Sequence, residues 1–296
     1  MSATLLGRDA AAAELARRGH VVLRRAVDPA VLGRINAELD AQFAATPFCD
    51  GDFYGRRTKR FGMLLRRSAA AADIIAHSEI ISIVERVLGP YCDVIRLNLT
   101  QALELHPGET RQAPHRDQDM WGGEKGRIEY LVNVMWPITP YRAENGATLI
   151  YPDSHGAISQ GDVVGAPIAV EFDPGDALLF LGSTLHGGGA NRSSAPRRGV
   201  LISYCLGWLM PFENQYLVYP PEVARAFAPD VQALVGYRQH RPNLGNVEGN
   251  CPSHLLLNDG FGAADALAAR DALPDPLAAR VRAFVEAERL REASPE

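Results

Sequence analysis

Ile95-Arg96-Leu97-Asn98-Leu99-Thr100-Gln101-Ala102-Leu103-Glu104-Leu105 carries Ile, Leu, Leu, Gln, Leu and Leu at its odd positions and mostly polar residues between them. Successive side chains of an extended chain point to opposite faces, so this alternation predicts a half-buried β-strand. Upstream the period is helical. Val31, Leu32, Ile35, Leu39 and Phe43 recur at helix spacing between Pro29 and Ala45, behind the start signal Asp28-Pro29. Ala10–Arg18, Ala69–Ala76 and Glu79–Leu88 also read as helices, the last stopped by Gly89-Pro90, with a short strand at Val21–Leu23.

Downstream, Ile128, Tyr130, Val132, Val134 and Trp136 alternate like a strand, followed by strand candidates Thr148–Tyr151, Ile168–Phe172, Ala177–Leu181 and Gly199–Leu206. Turns such as Asp173-Pro174-Gly175-Asp176 separate them. Many short strands without intervening helices predict an antiparallel sandwich or barrel. After Pro220 helices return, with a loop-rich stretch over 238–258 and a charged last helix from Pro276 to about Arg291. The expected organisation is one mainly β domain over 1–296. Its parts are helices over about 1–92, a β core over about 93–210 and helices over about 211–296.

Composition excludes several classes. The chain has 296 residues, 47% hydrophobic and 22% charged, ordinary values for a soluble globular protein. A formal net charge of -5 gives no basic footprint for nucleic acid. No apolar run approaches the roughly 18 residues of a membrane span. The start Met1-Ser2-Ala3-Thr4, soon followed by Arg8, Asp9 and Glu14, does not read as a secretory signal, so a cytoplasmic location is expected. Cys49, Cys92, Cys205 and Cys251 are scattered without a CxxC spacing.

The chemistry concentrates around Gln112-Ala113-Pro114-His115-Arg116-Asp117-Gln118-Asp119. On an extended backbone His115 and Asp117 project to the same face and can reach one metal ion together. His-x-Asp alone is a weak motif. A second histidine would complete the two-His, one-carboxylate set of non-haem Fe(II) oxygenases, which leaves three metal positions open. Of the eight histidines, His20, His77, His240 and His254 sit in helical or loop contexts, His106 precedes Pro107-Gly108, and His155 lies in a turn. His186 ends the buried run Ala177–Leu185 and precedes Gly187-Gly188-Gly189, where a substrate can approach the backbone. Arg197 or its neighbour Arg198 is the candidate cation for a carboxylate co-substrate, although a solvated edge arginine is the commoner reading of either.

His115-x-Asp117, His186 and an arginine eleven positions on resemble the phytanoyl-CoA dioxygenase family of Fe(II)/2-oxoglutarate oxygenases. Asn145-Gly146 through Pro152-Asp153-Ser154-His155 is similar to the family's Asn-Gly…Pro-Gly-Ser-His turn, with Asp153 where glycine is usual. Gly207-Trp208-Leu209, Glu213–Leu217 and Leu244–Gly249 look like the branch that tailors natural products. The tripeptide His-Arg-Asp also occurs in protein kinases, but Gly122 stands where their asparagine would be.

The resemblance implies a double-stranded β-helix (jelly-roll, cupin-like) core with iron ligands His115, Asp117 and His186. It implies Arg197 for the 2-oxoglutarate C5 carboxylate, with Gln112 and Thr148 hydrogen-bonding that co-substrate. The cofactor set is then Fe(II), 2-oxoglutarate and O2, and the reaction is hydroxylation, desaturation or a related C–H oxidation with release of succinate and CO2. The partner is a hydrophobic small molecule, with no nucleic acid and no membrane, and relatives suggest a homodimer. Candidate pocket walls are Met120 and Trp121 after the motif and Phe61, Met63 and Leu64 before it, with Trp208 from the far side. Thr58-Lys59-Arg60 reads as solvated charge, or as a loop anchor or substrate contact. Asp119, two residues after Asp117, could compete for the metal but reads as a charged loop residue or as a hydrogen-bond acceptor behind the ligands. An acyl-CoA hydroxylase of the same family, a cupin-like metalloenzyme without 2-oxoglutarate and a non-catalytic binding protein are the alternatives.

Overall fold

The computed structural model describes residues 7–160, 165–257, 273 and 275–293. The strands are β1 (His20–Leu23), β2 (Thr58–Phe61), β3 (Ile95–Leu105), β4 (Leu131–Pro137), β5 (Thr148–Ile150), β6 (Ile168–Ala169), β7 (Ala177–Leu181), β8 (His186–Gly188) and β9 (Arg197–Leu206). They form a six-stranded sheet, β1-β7-β4-β9-β3-β2, and a three-stranded sheet, β6-β5-β8, with every pair antiparallel.

Strand parity decides what each face of the large sheet meets. Val132, Val134 and Trp136 of β4 and Val200, Ile202 and Tyr204 of β9 join the cluster that includes Leu32, Ile35 and Leu39 of the helix Pro29–Ala45. Ile80, Ile83 and Val84 of the helix Ser78–Leu88 belong to the same cluster. The opposite face contributes Leu103, Met135, Leu178 and Phe180 to a second cluster with Ile150 of the small sheet. Every residue of β7 is therefore buried, because one face packs on helices and the other on the second sheet. The first helix spans Arg8–Arg18 and the last Asp275–Glu292. Among the described residues no helix is long and apolar enough to cross a membrane.

The strands expected over Ile128–Trp136 and Ile168–Phe172 are Leu131–Pro137 and Ile168–Ala169, and two further differences from expectation bear on the site. Thr58–Phe61 is an edge strand pairing with β3, and its charged middle, Lys59-Arg60, conceals the strand in the sequence. The buried run before His186 is not one strand. β7 ends at Leu181, the chain turns through Gly182–Leu185, and His186 opens β8 in the other sheet. Gly182 permits the crossing, since a Cβ there would lie 2.5 Å from Leu131 Cδ2.

Candidate metal centre

His115 and His186 are direct cross-strand neighbours. His115 N–H donates to His186 O and His186 N–H to His115 O, each at 3.0 Å, which makes an isolated antiparallel bridge at the end of β8. Opposite residues of such a pair share a face. The imidazole centroids are accordingly 4.5 Å apart. Arg116 is extended (φ -119°, ψ 123°), and Asp117 then opens a 3-10 turn over Asp117–Met120 rather than continuing a strand. The turn is fastened from behind. Arg116 Nε donates to Ser183 O at 3.0 Å, and Gln118 N–H to Gly182 O at 3.2 Å. The result brings the expected triad together: one potential ligand atom from each of His115, Asp117 and His186 lies within 4.8 Å of the others.

Both rings are held by their far nitrogens. His115 Nδ1 bonds Ala113 O and His186 Nδ1 bonds Thr184 O, both at 3.0 Å, which leaves each Nε2 toward the carboxylate. Asp117 Oδ1 is 3.4 Å from His115 Nε2, and Oδ2 is 3.5 Å from His186 Nε2. Asn133 of β4 donates to Asp117 Oδ2 at 2.9 Å. Burial raises the Asp117 pKa, but the histidines and the Asn133 bond outweigh it and hold the carboxyl at about 2. Burial lowers the His186 pKa despite Asp117, which favours the neutral form of this ring. Burial also disfavours charged His115, yet its bond to Asp117 raises the pKa overall. Two imidazole nitrogens and an anionic oxygen on one side of a point suit a first-row divalent transition metal.

The triad opens into a cavity of about 360 Å³ between the sheets. Gln112, Thr148 and Arg197 line it, as expected. Gln112 is already engaged: Gly188 N–H donates to its Oε1 and its Nε2 donates to Phe53 O, both at 3.1 Å. Arg197 is 3% exposed. Its guanidinium donates to Tyr141 OH at 2.6 Å and Gly146 O at 2.8 Å and lies 4.2 Å from the Tyr141 ring centroid. Gly199 permits this approach, since a Cβ there would meet Tyr141 OH at 2.0 Å. Burial raises the Tyr141 pKa, so the phenol is a neutral acceptor and not a counter-ion. Arg197 Nε is buried without a partner.

Arg198 points the other way. It is bonded to Glu104 at 2.5 Å, Asp40 at 2.7 Å and Asn36 at 3.0 Å. Arg60 is the residue that sequence reading undervalued. It lines the cavity, bonds Gln101 at 2.9 Å, and has a buried Nε without a partner. Burial lowers its pKa, and the positive charge of Arg197 lowers it further. Neither Arg60 nor Arg197 has a carboxylate partner among the described residues. A pair of such cations suits a bound dicarboxylate.

The expected pocket wall needs correction. Met120 lines the cavity, but Phe61, Met63, Leu64, Trp121 and Trp208 do not. Phe61 packs edge-on against Phe43 at 4.9 Å, and Leu64 is core. Met63 sits in a left-handed turn (φ 62°). Trp121 packs beside Tyr130 and donates to Met210 O at 2.8 Å, while Trp208 donates to Tyr91 O at 3.0 Å. The apolar wall is instead Leu99, Leu103, Met135, Phe180 and Leu201, with Phe53, Tyr54 and Phe212 supplied by loops. Asp119 lines the exposed side of the cavity, outside the triad. His155 is no part of the triad and bonds Ala16 O at 3.0 Å. Asp153 adopts φ 56°, a left-handed conformation that explains the family's usual glycine.

The turn before His186 has its own anchor. Ser183 donates to Glu129 through Oγ at 2.6 Å and N–H at 3.0 Å. Burial raises the Glu129 pKa to about 7 against those bonds. The folded-state pKa lies above the ordinary value of about 4.3, so ionised Glu129 costs stability, increasingly from about pH 4 to pH 7 and constantly above. Glu129→Gln is expected to melt progressively higher relative to the parent as pH rises through that window. A melting-temperature difference that stays flat with pH would contradict this.

The family model "Phytanoyl-CoA dioxygenase (PhyH)" matches residues 15–199. The chain belongs to the phytanoyl-CoA dioxygenase family. It is 31% identical over 194 residues to dioxygenase cdmD of Talaromyces verruculosus, covering 62% of this chain and 63% of that one. It is 32% identical over 213 residues to dioxygenase FrzG of Cladobotryum sp, covering 66% and 69%. Its fold is similar to the crystal structure of the non-heme alpha ketoglutarate dependent epimerase SnoN from nogalamycin biosynthesis. That match has TM-score 0.58 and 20% identity, and covers 68% of this chain and 83% of that one. The two-sheet core flanked by helices is thus a jelly-roll of the kind expected.

Proposed function

We propose that this family member is an Fe(II)- and 2-oxoglutarate-dependent dioxygenase that oxidises a C–H bond of a hydrophobic small molecule. The balanced default is hydroxylation: substrate, 2-oxoglutarate and O2 give hydroxylated substrate, succinate and CO2. The observation that carries this reading is the pairing of the His115-Asp117-His186 cluster with two uncompensated guanidinium groups, Arg197 and Arg60, in one cavity. His115, Asp117 and His186 would hold the metal, which when bound supplies the oxidising chemistry. Arg197 would take the far carboxylate of the co-substrate, and Arg60 would balance its second negative charge. Thr148 would supply a hydroxyl contact, and Gln112 would hold the Phe53 loop against β8 while facing the co-substrate.

The cavity wall determines what is oxidised. Phe53, Tyr54, Met120 and Phe212 at the opening are 39–56% exposed, a hydrophobic rim suited to a free apolar molecule rather than to the anionic handle of a coenzyme A thioester. Anaerobic addition of Fe(II) and 2-oxoglutarate is expected to produce a visible charge-transfer band. Aerobic incubation is expected to release succinate from 2-oxoglutarate. Metal-loaded, folded protein that gives neither sinks the proposal, and turnover of an acyl-CoA but of no free metabolite sinks the substrate class.

A further inference from the structure

Besides Arg60, Gln101 and Arg197, a row of three polar side chains crosses the inner face of the large sheet. Asn98 stands at the β3 irregularity between Leu97 and Leu99, where a bulge re-aims a side chain. Its Oδ1 accepts from Phe212 N–H at 2.8 Å, and its Nδ2 donates to Ser203 Oγ on β9 at 2.9 Å. Ser203 is directly opposite Asn133 of β4 in the register. Asn133 Nδ2 donates to Asp117 Oδ2 at 2.9 Å, while its Oδ1 is buried without a partner. Asn98, Ser203 and Asn133 are at most 1% exposed. Ser203 Oγ accepts from Asn98 and keeps its own proton beside its cross-strand neighbour Asn133, whose Oδ1 has no bond to it or to any other partner among the described residues.

We propose that Asn133 is a positioning residue that restricts Asp117 to ligating the metal through one oxygen, with Ser203 and Asn98 fixing the orientation of its amide. The inference rests on the Fe(II)/2-oxoglutarate reading above. Ligation through one oxygen leaves three metal positions, which a two-point co-substrate and dioxygen need; a carboxylate chelating through both oxygens leaves too few. An apolar row would fill the same space without the cost of burying amides, and it would leave Asp117 Oδ2 unrestrained.

The test is a titration of Co(II), then of 2-oxoglutarate into the Co(II)-loaded protein, in the parent, Asn133→Leu, Ser203→Ala and Ser203→Thr. Asn133→Leu is expected to bind Co(II) within about threefold of the parent but 2-oxoglutarate at least about tenfold more weakly, within the range typical of residues that support a metal ligand. Ser203→Ala should move the same way by less, and Ser203→Thr should restore the parent value. If Asn133→Leu does not fold, the two Ser203 variants decide. Variants that lose thermal stability while keeping the parent's 2-oxoglutarate affinity overturn the proposal, as does failure of Ser203→Thr to restore a value that Ser203→Ala has shifted. A parent that binds no 2-oxoglutarate with Co(II) loaded refutes the underlying reading instead.

Discussion

Arg197→Leu will weaken 2-oxoglutarate binding to metal-loaded protein by about a hundred- to several thousand-fold, while Arg198→Ala will leave it unchanged. The first figure follows from removing one partner of a buried, desolvated charge pair, about 3–5 kcal/mol, or roughly tenfold per 1.4 kcal/mol. Arg197 is 3% exposed, its hydrogen-bond acceptors are neutral, and its Nε has no partner, so an incoming carboxylate supplies its first anion. Arg198 already has Glu104 and Asp40. Removing it should lower the melting temperature instead, because Glu104, whose side chain is 5% exposed, then keeps only His106 at 2.6 Å and Lys59 at 3.7 Å. Isothermal titration and thermal denaturation of the two variants separate the roles. Equal loss of 2-oxoglutarate affinity in both would refute the assignment.

Parity explains why the sequence resolved some of this and not the rest. Alternation located β3, Ile95–Leu105, to the residue, and the unbroken apolar run Ala177–Leu181 located β7, which is buried on both faces. β8 is three residues of His-Gly-Gly, too short and too small to show a period. In β2, Arg60 pairs with Leu103 and Phe61 with Ala102. Leu103 lines the cavity and Ala102 belongs to the helix-facing core. Arg60 therefore faces the site and Phe61 faces away, the reverse of what hydrophobicity implies. That signal becomes available once the strand and its register are recognised. Phe53, Tyr54 and Phe212 are harder cases, since loops bring them to the cavity and no periodicity marks them. The metal cluster was legible because its chemistry needs a short His-x-Asp spacing, even though the backbone at Asp117 is a 3-10 turn and not a strand.

Asp117→Ala should abolish succinate release and reduce Co(II) affinity by more than the 10–100-fold typical of losing a group that merely supports a ligand. The same variant makes an electrostatic prediction that needs no metal. Burial and Arg60 push His115 toward its neutral form, and Asp117 more than reverses them. With Asp117 gone, the His115 pKa must fall below its parent value, which an NMR titration of the metal-free protein can follow. In the parent, protons compete with metal for that raised imidazole, so Co(II) affinity should rise with pH until His115 is neutral and then level off. In Asp117→Ala the levelling point should move to lower pH. His186, already pushed down by burial, should contribute little to either profile. If Asp117→Ala leaves the His115 titration where it was, the carboxylate is not coupled to that ring and the proposed ligand set loses its electrostatic support.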